Sequence, residues 1–155
     1  MPPSAFVLPS LLTVLAVVAS GCTGGSNGST PTTPTQTIAT DVLTGTVQPP
    51  VGGALQSAFV PFAVGQGGGQ VQVTLTSAVE TFPDGTLLPT VTMGLAVGTI
   101  AGGVCTQMAN SFTTAQGGSQ PQLTGSLTAG SYCVLVSDVS SQLGPVAFAV
   151  AVSHP

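Results

Sequence analysis

The chain has 155 residues, of which four are acidic, none is Lys or Arg and one is His, so its formal net charge is -4. Nucleic-acid binding is excluded, because neutralising phosphates takes Lys and Arg, and so are arginine fingers, Walker lysines and Schiff-base lysines. Hydrophobic residues reach 43%, so the low charge does not signal disorder, which pairs low hydropathy with high charge, and the length suits one domain.

Ala5 to Val18 is an apolar run interrupted by Pro9 and Ser10. It falls short of the ~20 residues of a membrane span and fits the apolar core of an export signal. Ala19-Ser20-Gly21-Cys22 follows and leads into Thr, Gly, Ser and Asn. This resembles a bacterial lipobox, which implies that residues 1–21 are a lipoprotein signal peptide and that Cys22 is the lipidated mature terminus. The alternatives are ordinary cleavage after Ser20, leaving Cys22 a free thiol, and an uncleaved anchor. Each places the rest of the chain outside the membrane.

Residues 22–40 then read as the lipidated Cys and a tether of Thr, Ser, Gly and Pro without apolar periodicity. Pro31 and Pro34 stiffen it, and eighteen residues of such chain span ~23 Å as a coil.

Residues 41–155 change texture. Gln70 to Leu75 alternates polar and apolar, the period-two mark of a half-buried strand. Val91, Met93, Leu95 and Val97 alternate likewise, as do Tyr132, Val134 and Val136, and then Val146, Phe148, Val150 and Val152. Val60, Phe62 and Val64 form a shorter run. Turn clusters separate the runs: Pro49 to Gly53, Gly65 to Gly69, Pro83-Asp84-Gly85, Gly117-Gly118 and Ala129-Gly130. No segment carries a helical stripe, and the Thr and Val content suits pleated surfaces. The expected fold is all-β, an antiparallel β-sandwich of about eight strands. Pro61 lies inside the run Phe59 to Val64, and proline is tolerated in sheets at edges, strand starts or bulges. It is therefore expected on an edge strand or bulge, with Pro89, Pro121 and Pro145 at strand entrances. The alternative is that Pro61 separates two short strands.

The order of these runs also resembles a family. Leu43 to Val47, Phe59 to Val64, Gly69 to Leu75, Leu127 to Val136 and the closing Val146 to Val152 together look like the bacterial pre-peptidase C-terminal domain. The Ala129-Gly130-Ser131-Tyr132-Cys133-Val134 turn and strand is the most specific part. The resemblance implies a jelly-roll-like sandwich that serves as an accessory or targeting module and is not itself catalytic.

With Cys22 assigned to the signal, Cys105 and Cys133 remain as a pair in an exported domain, where a disulfide is expected. Alternation with Tyr132 and Val134 would put the bridge on an outer face or at a sheet margin. Functional thiols are the alternative, but there is no C-x-x-C and no His near either Cys in sequence. Gly24-Gly25-Ser26-Asn27-Gly28 matches a nucleophile elbow in letters alone, since the elbow needs a strand before it and a helix after it. His154 is read as a strand end, and the Tyr132 hydroxyl is expected on a nearby backbone group. Asp84 should bond its own turn. Asp41 and Asp138 could join backbone carbonyls around Ca²⁺, though without EF-hand spacing. Without Trp and with one Tyr, a ring-stacking sugar site is not expected.

No catalytic residue, metal site or cofactor is therefore expected. The expectation is a non-enzymatic lipoprotein of the bacterial cell envelope, held to a membrane by a lipid anchor and structural or adhesive in role. An accessory binding module for a surface protein or polymer is the alternative. An exported hydrolase would need a Ser or acid dyad that this chain does not supply in sequence.

Overall fold

The computed structural model describes residues 36–140 and 142–155. The segment expected to be a signal peptide (residues 1–21), Cys22 and most of the expected tether lie outside the described residues. Among the described residues there are nine strands and no helix: β1 (Ala39–Val47), β2 (Ser57–Val64), β3 (Gly69–Thr81), β4 (Leu87–Leu88), β5 (Met93–Ala101), β6 (Val104–Ala115), β7 (Leu123–Leu127), β8 (Gly130–Asp138) and β9 (Val146–His154). They form two antiparallel sheets. One runs β1-β9-β3-β4, with β7 also paired to β3, and the other runs β2-β8-β5-β6. With β4 set aside, the chain alternates between sheets except at the β5–β6 hairpin, as in a jelly roll, and the first and last strands lie side by side. The extra strand β4 is two residues opposite Glu80 and Thr81, too short to show any periodicity in sequence.

The period-two runs supply the core. Val146, Phe148, Val150 and Val152 of β9 face Val71, Val73 and Leu75 of β3 along one sheet, and Met93, Leu95 and Val97 of β5 join Val134 and Val136 of β8 from the other. Each is buried while its neighbours on the strand turn outward, as the pleat requires. Gly45 is the narrow point of β1: a Cβ there would stand 2.5 Å from Cζ of Phe148, whose ring lies across the glycine.

The sandwich begins two residues earlier than expected. Ala39 and Thr40, assigned to the tether, pair with His154 and Ser153, and the Thr40 hydroxyl donates to Ser153 Oγ at 3.3 Å. Thr-rich polar sequence reads as linker, but on an edge strand both faces tolerate it.

Pro61 is on an edge strand. β2 is continuous through it and pairs with β8 alone, with Pro61 opposite Cys133. Pro145 directly precedes β9 and Pro121 stands two residues before β7. Pro89 differs from expectation, because it follows β4 and precedes β5 by four residues. It ends a strand that the sequence does not reveal. In the Pro83-Asp84-Gly85 turn the Thr86 amide donates to Asp84 Oδ1 at 2.9 Å. That bond holds the Asp84 carboxyl below its ordinary value of 3.8, so its contribution to the turn is present above that range and lost as the pH falls through it.

The Tyr132 ring packs on Phe62 with centroids 5.8 Å apart. Its hydroxyl donates to the Thr128 carbonyl at 3.1 Å and lies 3.1 Å from Thr128 Oγ1. Tyr132→Phe should therefore lower unfolding stability by about 1 kcal/mol, the worth of one hydrogen bond with its partner left unpaired. An unchanged denaturant midpoint would refute that role.

Candidate interaction face

The outer face of the β2-β8-β5-β6 sheet is built on small residues at its centre. Gly94, Ala96 and Gly98 of β5 point away from the core, and larger side chains on β8 and β6 lean over them. A Cβ on Gly94 would meet Phe112 Cε2 at 2.9 Å and Val139 Cγ1 at 3.1 Å. A Cβ on Gly98 would meet Cys105 Sγ at 2.9 Å and the Thr106 carbonyl oxygen at 2.5 Å.

The Cys105–Cys133 disulfide crosses above Gly98, with its Cα atoms 6.0 Å apart. It joins β8 to β6 over the intervening β5, on the outer side as the alternation indicated. Glycine at position 98 is what makes room for this crossing. The β5–β6 ladder also shifts register between Ala96 and Gly98, so that Phe112 is opposite Ala96 and Gln107 opposite Gly98. The residues looped out between them include Asn110, which has a positive φ of 57°. The Ser111 hydroxyl lies 2.6 Å from the Val97 carbonyl and 2.7 Å from the Met108 carbonyl, and its one proton can serve either.

The pairing aligns one row across all four strands: Phe59 opposite Leu135, Leu135 opposite Ala96, and Ala96 opposite Phe112. At the usual strand spacing the row is ~14 Å long. Phe59 and Phe112 at its ends are 39% and 48% exposed, Leu135 is half-buried and Ala96 is buried beneath its neighbours, and Pro61 and the disulfide form the adjacent row. The strip carries no charged side chain. Alternation alone did not reveal it, because the row arises from register between strands distant in sequence. A cleft of about 190 Å³ between β7 and the looped-out part of β6, lined by Val71, Val97, Met108 and Leu127 among others, is below the ~300 Å³ of ordinary ligand pockets.

The acids are not gathered at one site. Asp41 Oδ2 lies 3.1 Å from His154 Nε2, and His154 Nδ1 lies 3.1 Å from the Pro155 carbonyl oxygen. His154 is buried at the end of β9, beside Phe62. Asp138 is engaged elsewhere: Oδ1 accepts from the Ser140 amide at 2.8 Å and Oδ2 from the Gln142 amide at 3.2 Å. Glu80 is buried as well, and its Oε1 accepts from the amides of Leu143 at 2.6 Å and Gly144 at 2.9 Å. Along the sequence Asp41, Glu80, Asp84 and Asp138 are scattered and form no motif. The signal available was composition: a chain without Lys or Arg must satisfy any buried carboxyl with backbone or other neutral donors. Among the described residues no group of three or more His, Cys, Asp or Glu side chains could hold a metal ion.

No protein-family model, curated protein or solved structure matches this chain, so the comparisons identify neither the pre-peptidase C-terminal family nor any other.

Proposed function

We propose that this chain is a non-enzymatic lipoprotein of the bacterial cell envelope whose β-sandwich is an adhesive or structural module. The observation that carries the reading is the uncharged row Phe59, Leu135, Ala96 and Phe112 on the outer face of one sheet. Singly exposed apolar residues are ordinary on a surface, whereas an aligned apolar strip is characteristic of an interaction site. A partner that fits it is uncharged at the contact and presents an apolar surface, as a surface protein or an uncharged polymer can. The anchor is supported by Ala19-Ser20-Gly21-Cys22 followed by a polar tether. Several acyl chains on one Cys hold a protein stably, where a single chain binds marginally. The His154 contacts with Asp41 and Pro155 are compatible with a structural role at a strand end.

The test is retention of the full chain by envelope fractions from which the endogenous protein has been deleted. A Phe59→Asp/Phe112→Asp variant should bind at least about tenfold more weakly, since a charge at each end of the strip would have to be desolvated. Equal binding by the two forms would remove the docking role. Mass spectrometry of the membrane form should find a diacylglyceryl-modified Cys22, and an unmodified terminus would remove the anchor.

A further inference from the structure

Every sheet edge exposes backbone donors and acceptors, and a protein without Lys cannot blunt its edges with the usual charged side chain. Three edges here carry another device. β2 has Pro61. β6 is broken by the register shift between Gln107 and Phe112. The far side of β3 is covered in three pieces: β7, β4, and between them loop groups that bond to it directly. The Gly118 amide donates to the Leu75 carbonyl at 2.9 Å and the Val91 amide to the Ala78 carbonyl at 3.2 Å, while Gln122 Oε1 accepts from the Leu75 amide at 2.7 Å.

β7 and β4 are edges themselves but are only five and two residues long, and short edges deter pairing, which leaves one long unprotected edge, β1. It is nine residues long, pairs with β9 in unbroken register, and contains neither proline nor bulge. About half of its backbone groups point away from β9, since an antiparallel strand bonds alternately to each side. Its one charge is Asp41, and Val42 is 70% exposed.

We propose that β1 is a dimerisation edge and that its occupant is β1 of a second copy of this chain, paired antiparallel about Leu43. The sequence of the strand is self-complementary in that register. Leu43 meets Leu43, Val42 meets Thr44, and Asp41 meets Gly45, so the two acids stand ~14 Å apart along the strands and no like charges are opposed. The pairing puts β-branched residues across from each other on the outer face, which suits a ladder. The segment just before β1 is a poor competitor for the same edge, because Pro31 and Pro34 lack ladder donors. The inference is independent of the docking strip, which lies on the other sheet.

The test uses the full chain carrying Cys22→Ser, so that neither lipid nor that thiol links copies. Sedimentation should show a concentration-dependent dimer. With Leu43→Cys added, mild oxidation should cross-link the copies, because residues opposed across a dyad have Cα atoms ~4.5–5.5 Å apart, within disulfide range. Phe59→Cys, on the edge of the other sheet, should not cross-link. Val42→Lys/Thr44→Lys changes two exposed side chains, should keep the native circular dichroism, and should weaken the dimer roughly tenfold by opposing like charges twice. A chain that stays monomeric at ~100 µM, far above ordinary specific affinities, overturns the proposal. So does a dimer that Val42→Lys/Thr44→Lys leaves intact, or one that Phe59→Cys cross-links as readily as Leu43→Cys.

Discussion

The Cys105→Ala/Cys133→Ala variant should lose about 3.6 kcal/mol of unfolding stability, the loop-entropy value for the ~29-residue loop that the bridge closes. For a folded unit of ~120 residues this corresponds to a fall of about 14 °C in Tm. The location of the bridge adds a local consequence. It holds the β5–β6 hairpin, which carries Cys105 beyond the register shift, down against β8. The amides of Thr99 to Gln107 should therefore exchange faster in the variant than those of β9. Gly98→Ala tests the same feature from below, because its Cβ would meet the Cys105 sulfur and the Thr106 carbonyl. It should destabilise the oxidised protein more than the bridge-free one, since losing the bridge lets the hairpin lift. Equal cost in both backgrounds would show that the crossing over Gly98 is not under constraint.

Features of the fold that depend on local pattern were legible in the sequence. Alternation identified the core faces of β3, β5, β8 and β9, because a strand buried on one side has to repeat every second residue. Pro61 revealed an edge, since its missing donor restricts where it can sit. Cys105 and Cys133 were recognisable as a pair on the expectation of export, since an oxidising compartment joins such cysteines. What stayed hidden is set by register between distant strands. The row from Phe59 to Phe112 exists because β2, β8, β5 and β6 align as they do, and no local window contains that information. β4 is too short for any pattern. Ala39 and Thr40 look like tether because an edge strand with solvent on its outer face has the composition of a linker. The role of Glu80 is also non-local: it reaches amides that follow it by more than sixty residues, whereas Asp138 accepts from amides two and four residues on.

Glu80→Ala should cost about 3 kcal/mol, because it leaves the buried Gly144 amide and the part-buried Leu143 amide without their acceptor, at ~1–3 kcal/mol for a buried group and less where water can reach. No cation of this chain can compensate, as it has no Lys or Arg. The carboxyl fastens the segment between β8 and β9 onto β3, and two further contacts secure the same place. The Thr81 amide donates to the Pro145 carbonyl at 3.0 Å. Gly144 lies so close to Thr81 that a Cβ would overlap the Thr81 carbonyl oxygen and stand 2.8 Å from its carbon. Gly144→Ala must therefore push the segment away from β3, which also lengthens the Glu80 bonds. The two substitutions damage one structure, so their combined cost should fall short of the sum of the single costs, as it does for residues sharing partners. Glu80→Gln separates hydrogen bonding from size: its amide oxygen can accept from the same two backbone groups, so it should retain most of the stability that Glu80→Ala loses. Denaturant unfolding compares the three single variants and the double variant with the parent, and hydrogen exchange at Leu143 and Gly144 reports the segment directly. If those two amides exchange no faster in Glu80→Ala than in the parent, the carboxyl is not what holds them.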